Sequence, residues 1–198
     1  MTGGRKRTGV QPMVPKCVLA GVFVCMSTSA FPASAPYAVE HKARGLVVRI
    51  ASGRDEYASI GSYDIRVYTN DGADFVAGLV HPRDGEVVRT WLTEDESPKA
   101  LRVWVWTCSA GSGAYGNIES FELVGDKLVK VPIPEPSAEL KAGYMGHDSF
   151  DVRNGKLYRQ FPVYRQGDAN VSPTGWNRRL ELDIRRQDAV WRPTARSR

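Results

Sequence analysis

Apolar and polar residues alternate with a period of two along most of this chain. In "YDIRVY", Tyr63, Ile65 and Val67 fall on one side, and Asp64 and Arg66 on the other. "LRVWVWT" sets Leu101, Val103 and Val105 against Arg102, Trp104 and Trp106, and "RRLELDIR" sets Leu180, Leu182 and Ile184 against Arg179, Glu181, Asp183 and Arg185. Successive side chains of a strand point to opposite faces, so each run predicts a strand with one face on a core and the other toward water or a second layer. "GLVVRIA", "DFVAGLV", "NIESFEL", "KLVKVPI", "SFDVRN" and "KLYRQFPVY" add six candidates. Between them stand "TNDGAD", "HPRDGE", "LVGDKL" and "VRNGKL", whose Asp-Gly, Gly-Asp and Asn-Gly pairs supply the positive φ of tight hairpins. No long helical period intervenes. The pattern predicts an all-β fold: a single-domain, hairpin-rich antiparallel β-sandwich of two sheets over residues 45–192, with a lead-in at 36–44 and a basic tail at 193–198. Two stretches break the meander. Residues 132–146 are proline-rich with room for a short helical turn, and residues 164–177 form a long polar connection.

The first 35 residues follow a different grammar. Arg5, Lys6, Arg7 and Lys16 precede the apolar run "CVLAGVFVCM", and "ASA" at 33–35 offers small residues to a peptidase. The run fits a signal peptide and is too short to cross a bilayer, so residues 1–35 are expected to be a cleavable export signal and the protein periplasmic. Val24 before Cys25 and Lys16 before Cys17 argue against lipid attachment, so no membrane anchor is expected. The segment holds four of the 27 Lys and Arg residues and none of the 22 acids. Without it 23 bases face 22 acids, which removes the electrostatic case for nucleic-acid binding. Residues 36–177 carry 16 bases against 19 acids, and seven arginines crowd the remainder. Only Cys108 of three cysteines lies beyond the signal, so an exported domain must be held by its core rather than by a disulfide.

One glycine-rich stretch, "CSAGSGAYGN" (108–117), carries candidate chemistry. Gly111, Gly113 and Gly116 spell G-x-G-x-x-G, but that fingerprint works only where a strand turns into a helix whose N-terminus receives a pyrophosphate. Here "GNIESFELVGDKLVKV" follows, which alternates and turns as a hairpin does. Two readings stay open from the residues alone: a flexible hairpin tip without chemistry, and a binding loop. The second draws on Tyr115 and Ser112, an amphipathic ring and a hydroxyl set among residues too small to bury them.

"DESPKALRVWVWTCSAGSGAYGNIESFEL" (95–123) resembles the core of the periplasmic inhibitors of invertebrate-type (I-type) lysozyme, and "SYDIRVYTNDGADFVAGLVHPRDGEV" (62–87) resembles the strands before it. "FPVYRQGDANVSPTGWNRRLEL" (161–182) is similar to a tail of related exported proteins. The resemblance implies a proteinaceous inhibitor, not an enzyme, that needs no cofactor. Its partner would be a host or competitor lysozyme, I-type favoured. It implies that the S-G-x-Y segment, here Ser112, Gly113, Ala114 and Tyr115, with Gly111 beside it, enters the lysozyme cleft. Cys108, where a polar residue is usual, and Trp176, where a glycine is usual, depart from the pattern.

Other constellations fall short. His41, His81 and His147 are far apart in sequence, with His81 and His147 expected as turn residues; Cys108 is expected as a bystander thiol. "TEDES" lacks calcium-loop spacing and nothing has zinc spacing, so no metal site is expected. The acidic set Glu94, Asp95 and Glu96 is a solvated face or an attractor for a basic partner. Trp104 and Trp106 share a strand face, expected as second-layer core. The competing reading makes Trp104, Trp106 and Tyr115 the stacking surface of a peptidoglycan- or carbohydrate-binding module without catalytic activity. Whether the chain forms a homodimer stays open.

Overall fold

The computed structural model describes residues 36–57, 59–96, 99–186 and 188–194, all within one unit, Ala33–Arg198. The expected signal peptide and residues 195–198 of the basic tail lie outside the described residues, as do the side chains of Asp95 and Glu96.

Hairpin follows hairpin. Strands β1 (Ala38–Ala43), β2 (Leu46–Ser52), β3 (Ile60–Thr69) and β4 (Asp74–Asp84) form one antiparallel sheet in chain order. Strands β5 (Glu86–Glu96), β6 (Lys99–Cys108), β7 (Gly116–Val124) and β8 (Lys127–Val131) form a second. Strands β9 (Ser149–Arg153), β10 (Lys156–Pro162), β11 (Asn177–Asp183) and β12 (Arg192–Pro193) form a third. Two-residue turns drive this order: Arg44 and Gly45 take φ of 50° and 72°, and Asn154 and Gly155 take 52° and 69°, the double positive φ that a strand-matched hairpin requires.

The first two sheets make the expected sandwich. Val48, Ile50, Tyr63, Ile65 and Val67 meet Val103, Val105 and Phe121, each exposed by 1% or less. The Tyr63 hydroxyl at this core's margin donates to Glu119 (2.7 Å), which also pairs with Lys130 and His81.

The third sheet adds a layer. It covers the far face of the second sheet, where Trp91 and Trp104 meet Phe150, Leu157, Phe161, Leu180 and Leu182. The second sheet is therefore the middle layer, apolar on both faces, and β6 contributes Val103 and Val105 to one core and Trp104 to the other. Trp104 is 1% exposed and donates its indole N–H to Thr93 Oγ1 at 2.9 Å, as second-layer core should.

Residues 38–43, expected as part of a lead-in, form β1 and pair with β2 along their whole length. Arg192 and Pro193, at the expected domain–tail boundary, form β12 against β11. Strand β5 carries a bulge: the register slips between Val87 and Arg89, so Val87 is buried while Val88 is exposed.

Candidate functional site

The glycine-rich stretch leaves β6 at Cys108 and re-enters the sheet at Gly116, the first residue of β7. A strand follows rather than a helix, so the structural context of a dinucleotide loop is missing. Its base is closed twice: Ser109 N donates to Tyr115 O (2.9 Å) and Tyr115 N donates to Ser109 Oγ (3.0 Å). Inside, Ala114 N donates to Gly111 O (3.2 Å), which bends the chain over Ser112 and Gly113. Gly111 takes φ 122°, ground reserved for glycine, while Ala114 takes φ 40°, which costs an L-residue about 1–2 kcal/mol.

These torsions decide what the tip shows. Gly111 and Ser112 are exposed, Gly113 is buried, Ala114 is half-buried, and Tyr115 is 46% exposed. The Tyr115 ring folds over Gly113 so closely that a Cβ at Gly113 would overlap it. The structure thus brings Gly111, Ser112, Gly113, Ala114 and Tyr115 together on one narrow tip, with a phenol and an alcohol at its surface.

The tip rests against a wall that the sequence did not reveal. His147 N donates to both Gly113 O (2.7 Å) and Ala114 O (3.2 Å). The Asn170 carboxamide accepts from Gly113 N (3.3 Å) and Ser112 Oγ (3.2 Å) and donates to Met145 O (3.2 Å), the orientation that satisfies both of its polar atoms. Tyr144 meets the Tyr115 ring edge to face at 5.9 Å and donates its hydroxyl to Asp148. Burial, reinforced by the Asp148 carboxylate, pushes the Tyr144 hydroxyl well above the usual tyrosine range and keeps it a donor. Asp148 also accepts from Gly116 N (3.0 Å) and from Arg159 Nε (2.7 Å). The "GYMGHDS" stretch held a faint signal, two glycines around a methionine and then paired His and Asp, but its partnership with residues 111–116 is a long-range fact.

The remaining candidates disperse. His41 shares Thr90 Oγ1 with Tyr37, and His81 lies on β4 against Glu119 rather than in a turn, because β4 runs on to Asp84. His147 lies in the irregular stretch before β9, at φ 57°, rather than in a regular turn. Burial, with Asp148 and Glu86 nearby, pushes the Cys108 thiol up and away from the nucleophilic thiolate. Among the described residues no group of three His, Cys, Asp or Glu side chains is placed to hold a metal ion, and no helix is long and apolar enough to cross a membrane. Glu94 pairs with Arg44 at 2.7 Å.

Residues 41–135 match the family described as periplasmic lysozyme inhibitor of I-type lysozyme. The crystal structure of such an inhibitor from Aeromonas hydrophila is 34% identical, over 48% of this chain and 84% of that one, with a TM-score of 0.43. This chain belongs to the family of periplasmic inhibitors of I-type lysozyme.

A second structure, the Aeromonas hydrophila inhibitor in complex with Meretrix lusoria lysozyme, is 30% identical over 51% of this chain and 90% of that one, with a TM-score of 0.41. No curated protein matches the chain. The matched residues take in the end of β1, all of β2 to β8 and the glycine-rich loop; the wall of residues 143–170 and the third sheet lie beyond them. The periplasmic place that the export address led us to expect is that of the I-type lysozyme inhibitor family.

Proposed function

We propose that this protein inhibits an I-type lysozyme by inserting residues 112–115 into the active-site cleft, where they block the catalytic carboxyl groups. The observation that carries this reading is Tyr115, half-exposed on a loop that is closed at its base by Ser109 and braced from outside by His147.

Lysozymes cleave glycans with one carboxyl group kept protonated and a second ionised, facing each other across a groove shaped for sugar. A narrow convex tip fills such a groove without offering a glycosidic bond. Hydroxyls suit the carboxyl pair because Tyr115 can donate a hydrogen bond to the ionised carboxylate and Ser112, whose own proton goes to Asn170, can accept one from the protonated carboxyl, and neither brings a charge that must be stripped of water. A hydrogen bond to a charged group is worth about 1.5–3 kcal/mol. The ring of Tyr115 adds apolar contact at small entropic cost, since it turns about only two side-chain bonds. The role is non-catalytic, and the partner is a host or competitor enzyme rather than the cell's own glycan. The carbohydrate-binding alternative loses its stacking platform, because Trp104 is enclosed between two sheets and Trp106 stacks on Trp91.

Replacing Tyr115 with alanine tests this. Inhibition of an I-type lysozyme in a turbidity assay should weaken by about 2 kcal/mol, roughly thirtyfold, with the melting temperature nearly unchanged. Inhibition equal to that of the unaltered protein would contradict the loop mechanism.

A further inference from the structure

The wall behind the loop is built entirely from residues that follow the family-matched stretch, and its chemistry is more specific than packing requires. Three separate groups hold the tip. The His147 amide is shared between the carbonyls of Gly113 and Ala114. The Asn170 carboxamide ties Ser112 and Gly113 to Met145. Asp148, whose side chain is fully buried, accepts from Gly116 N, where the loop returns to β7. Asp148 is itself held by Arg159, a 9%-exposed side chain on β10, and by Tyr144, whose ring carries Tyr115. Close approach is built in: Gly146 has φ 100°, and a Cβ there would overlap the Gly113 carbonyl.

A tip of Ser, Ala and Gly has little stiffness of its own, since glycine loses more freedom on ordering than any other residue. A loop ordered only on binding loses affinity to that ordering, whereas one already held in shape does not. We propose that residues 143–170 form a clasp in which His147, Asp148 and Asn170 act as positioning residues, holding the lysozyme-binding tip in its bound shape before lysozyme arrives. The inference rests on the function proposed above and assigns to the C-terminal part of the chain a share in inhibition. The third sheet anchors this clasp: β9 follows Asp148 directly and β10 supplies Arg159.

Asn170 is the member to remove, because it contributes to neither apolar core. In the Asn170→Ala variant, amide hydrogen exchange at Gly113 and Ala114, followed by NMR in the free protein, should quicken about five- to tenfold, as expected for the loss of ordinary hydrogen bonds. Inhibition should weaken by a similar factor while the melting temperature holds. Asn170→Asp, which keeps the acceptor for Gly113 N and Ser112 Oγ, should recover most of both effects. Unchanged exchange would overturn the clasp. Faster exchange with undiminished inhibition would overturn its positioning role. An unaltered protein that inhibits no I-type lysozyme would overturn the underlying function instead, and the two failures are distinguishable because the exchange comparison uses no lysozyme.

Discussion

Gly113 and Tyr115 work as a pair. Gly113 takes no positive φ; glycine is needed there because the Tyr115 ring lies where a side chain would stand. Alanine at 113 therefore swings the ring outward rather than breaking the backbone. Gly113→Ala is expected to weaken lysozyme inhibition about tenfold, within the range of displaced interface anchors, while thermal unfolding by circular dichroism shifts little. A variant that inhibits as well as the original would show that the ring's resting place is irrelevant. The sequence carried part of this: a tyrosine among small residues is visible as an anchor without shelter. It did not carry the partnership with Tyr144, His147 and Asn170, because nothing in local spacing shows which of several polar turns folds back onto a given loop.

The strands were most legible where burial is one-sided. On β3, Tyr63, Ile65 and Val67 are fully buried while Arg66 is exposed, so the period of two survives in the sequence. The same holds for Leu180 and Leu182 on β11. Legibility failed on β5, where Val87 belongs to one core and Trp91 to the other and a bulge separates them. Apolar residues on both faces erase alternation, the usual signature of a middle layer. That also explains why two sheets were expected and the third came as an addition: Trp104 and Trp106 opposite Val103 and Val105 were the only hint that the second sheet is covered twice. The energetic weight lies in these layers. Truncating a buried tryptophan such as Trp104 costs about 3–5 kcal/mol, against at most about 1 kcal/mol for an exposed ion pair such as Arg185 with Asp183.

For the whole molecule, charge sets the response to acid. Four of the arginines near the C-terminus are engaged within the chain: Arg178 donates to the carbonyls of Glu139, Leu140 and Ala142, Arg179 to Gln160, Arg185 to Asp183 and Arg186 to Asp188. Several carboxyl groups sit below their ordinary range in the folded state. Backbone and hydroxyl donors at Ser62 lower Glu56, and the amides of Thr174 and Arg165 lower Asp168. Burial raises Glu119, but Lys130, Tyr63 and His81 outweigh it and leave it lowered. Burial also lowers His41. Each of these groups binds a proton more readily when the chain is unfolded, so acid favours unfolding. Urea titrations should show stability easing below about pH 6.5, where an unfolded His41 charges, and falling steeply below about pH 4.3 as the carboxylates protonate. Stability that holds or rises down to pH 3.5 would contradict these assignments.

Inhibition turns on where the tip goes. The most direct measurement is calorimetric titration of an I-type lysozyme with this protein in the presence of rising concentrations of a chitin oligosaccharide that fills the active-site groove. If residues 112–115 occupy that groove, the apparent Kd must increase in proportion to the oligosaccharide once its own binding is saturated. A Kd that does not change would place the contact elsewhere on lysozyme and contradict the mechanism.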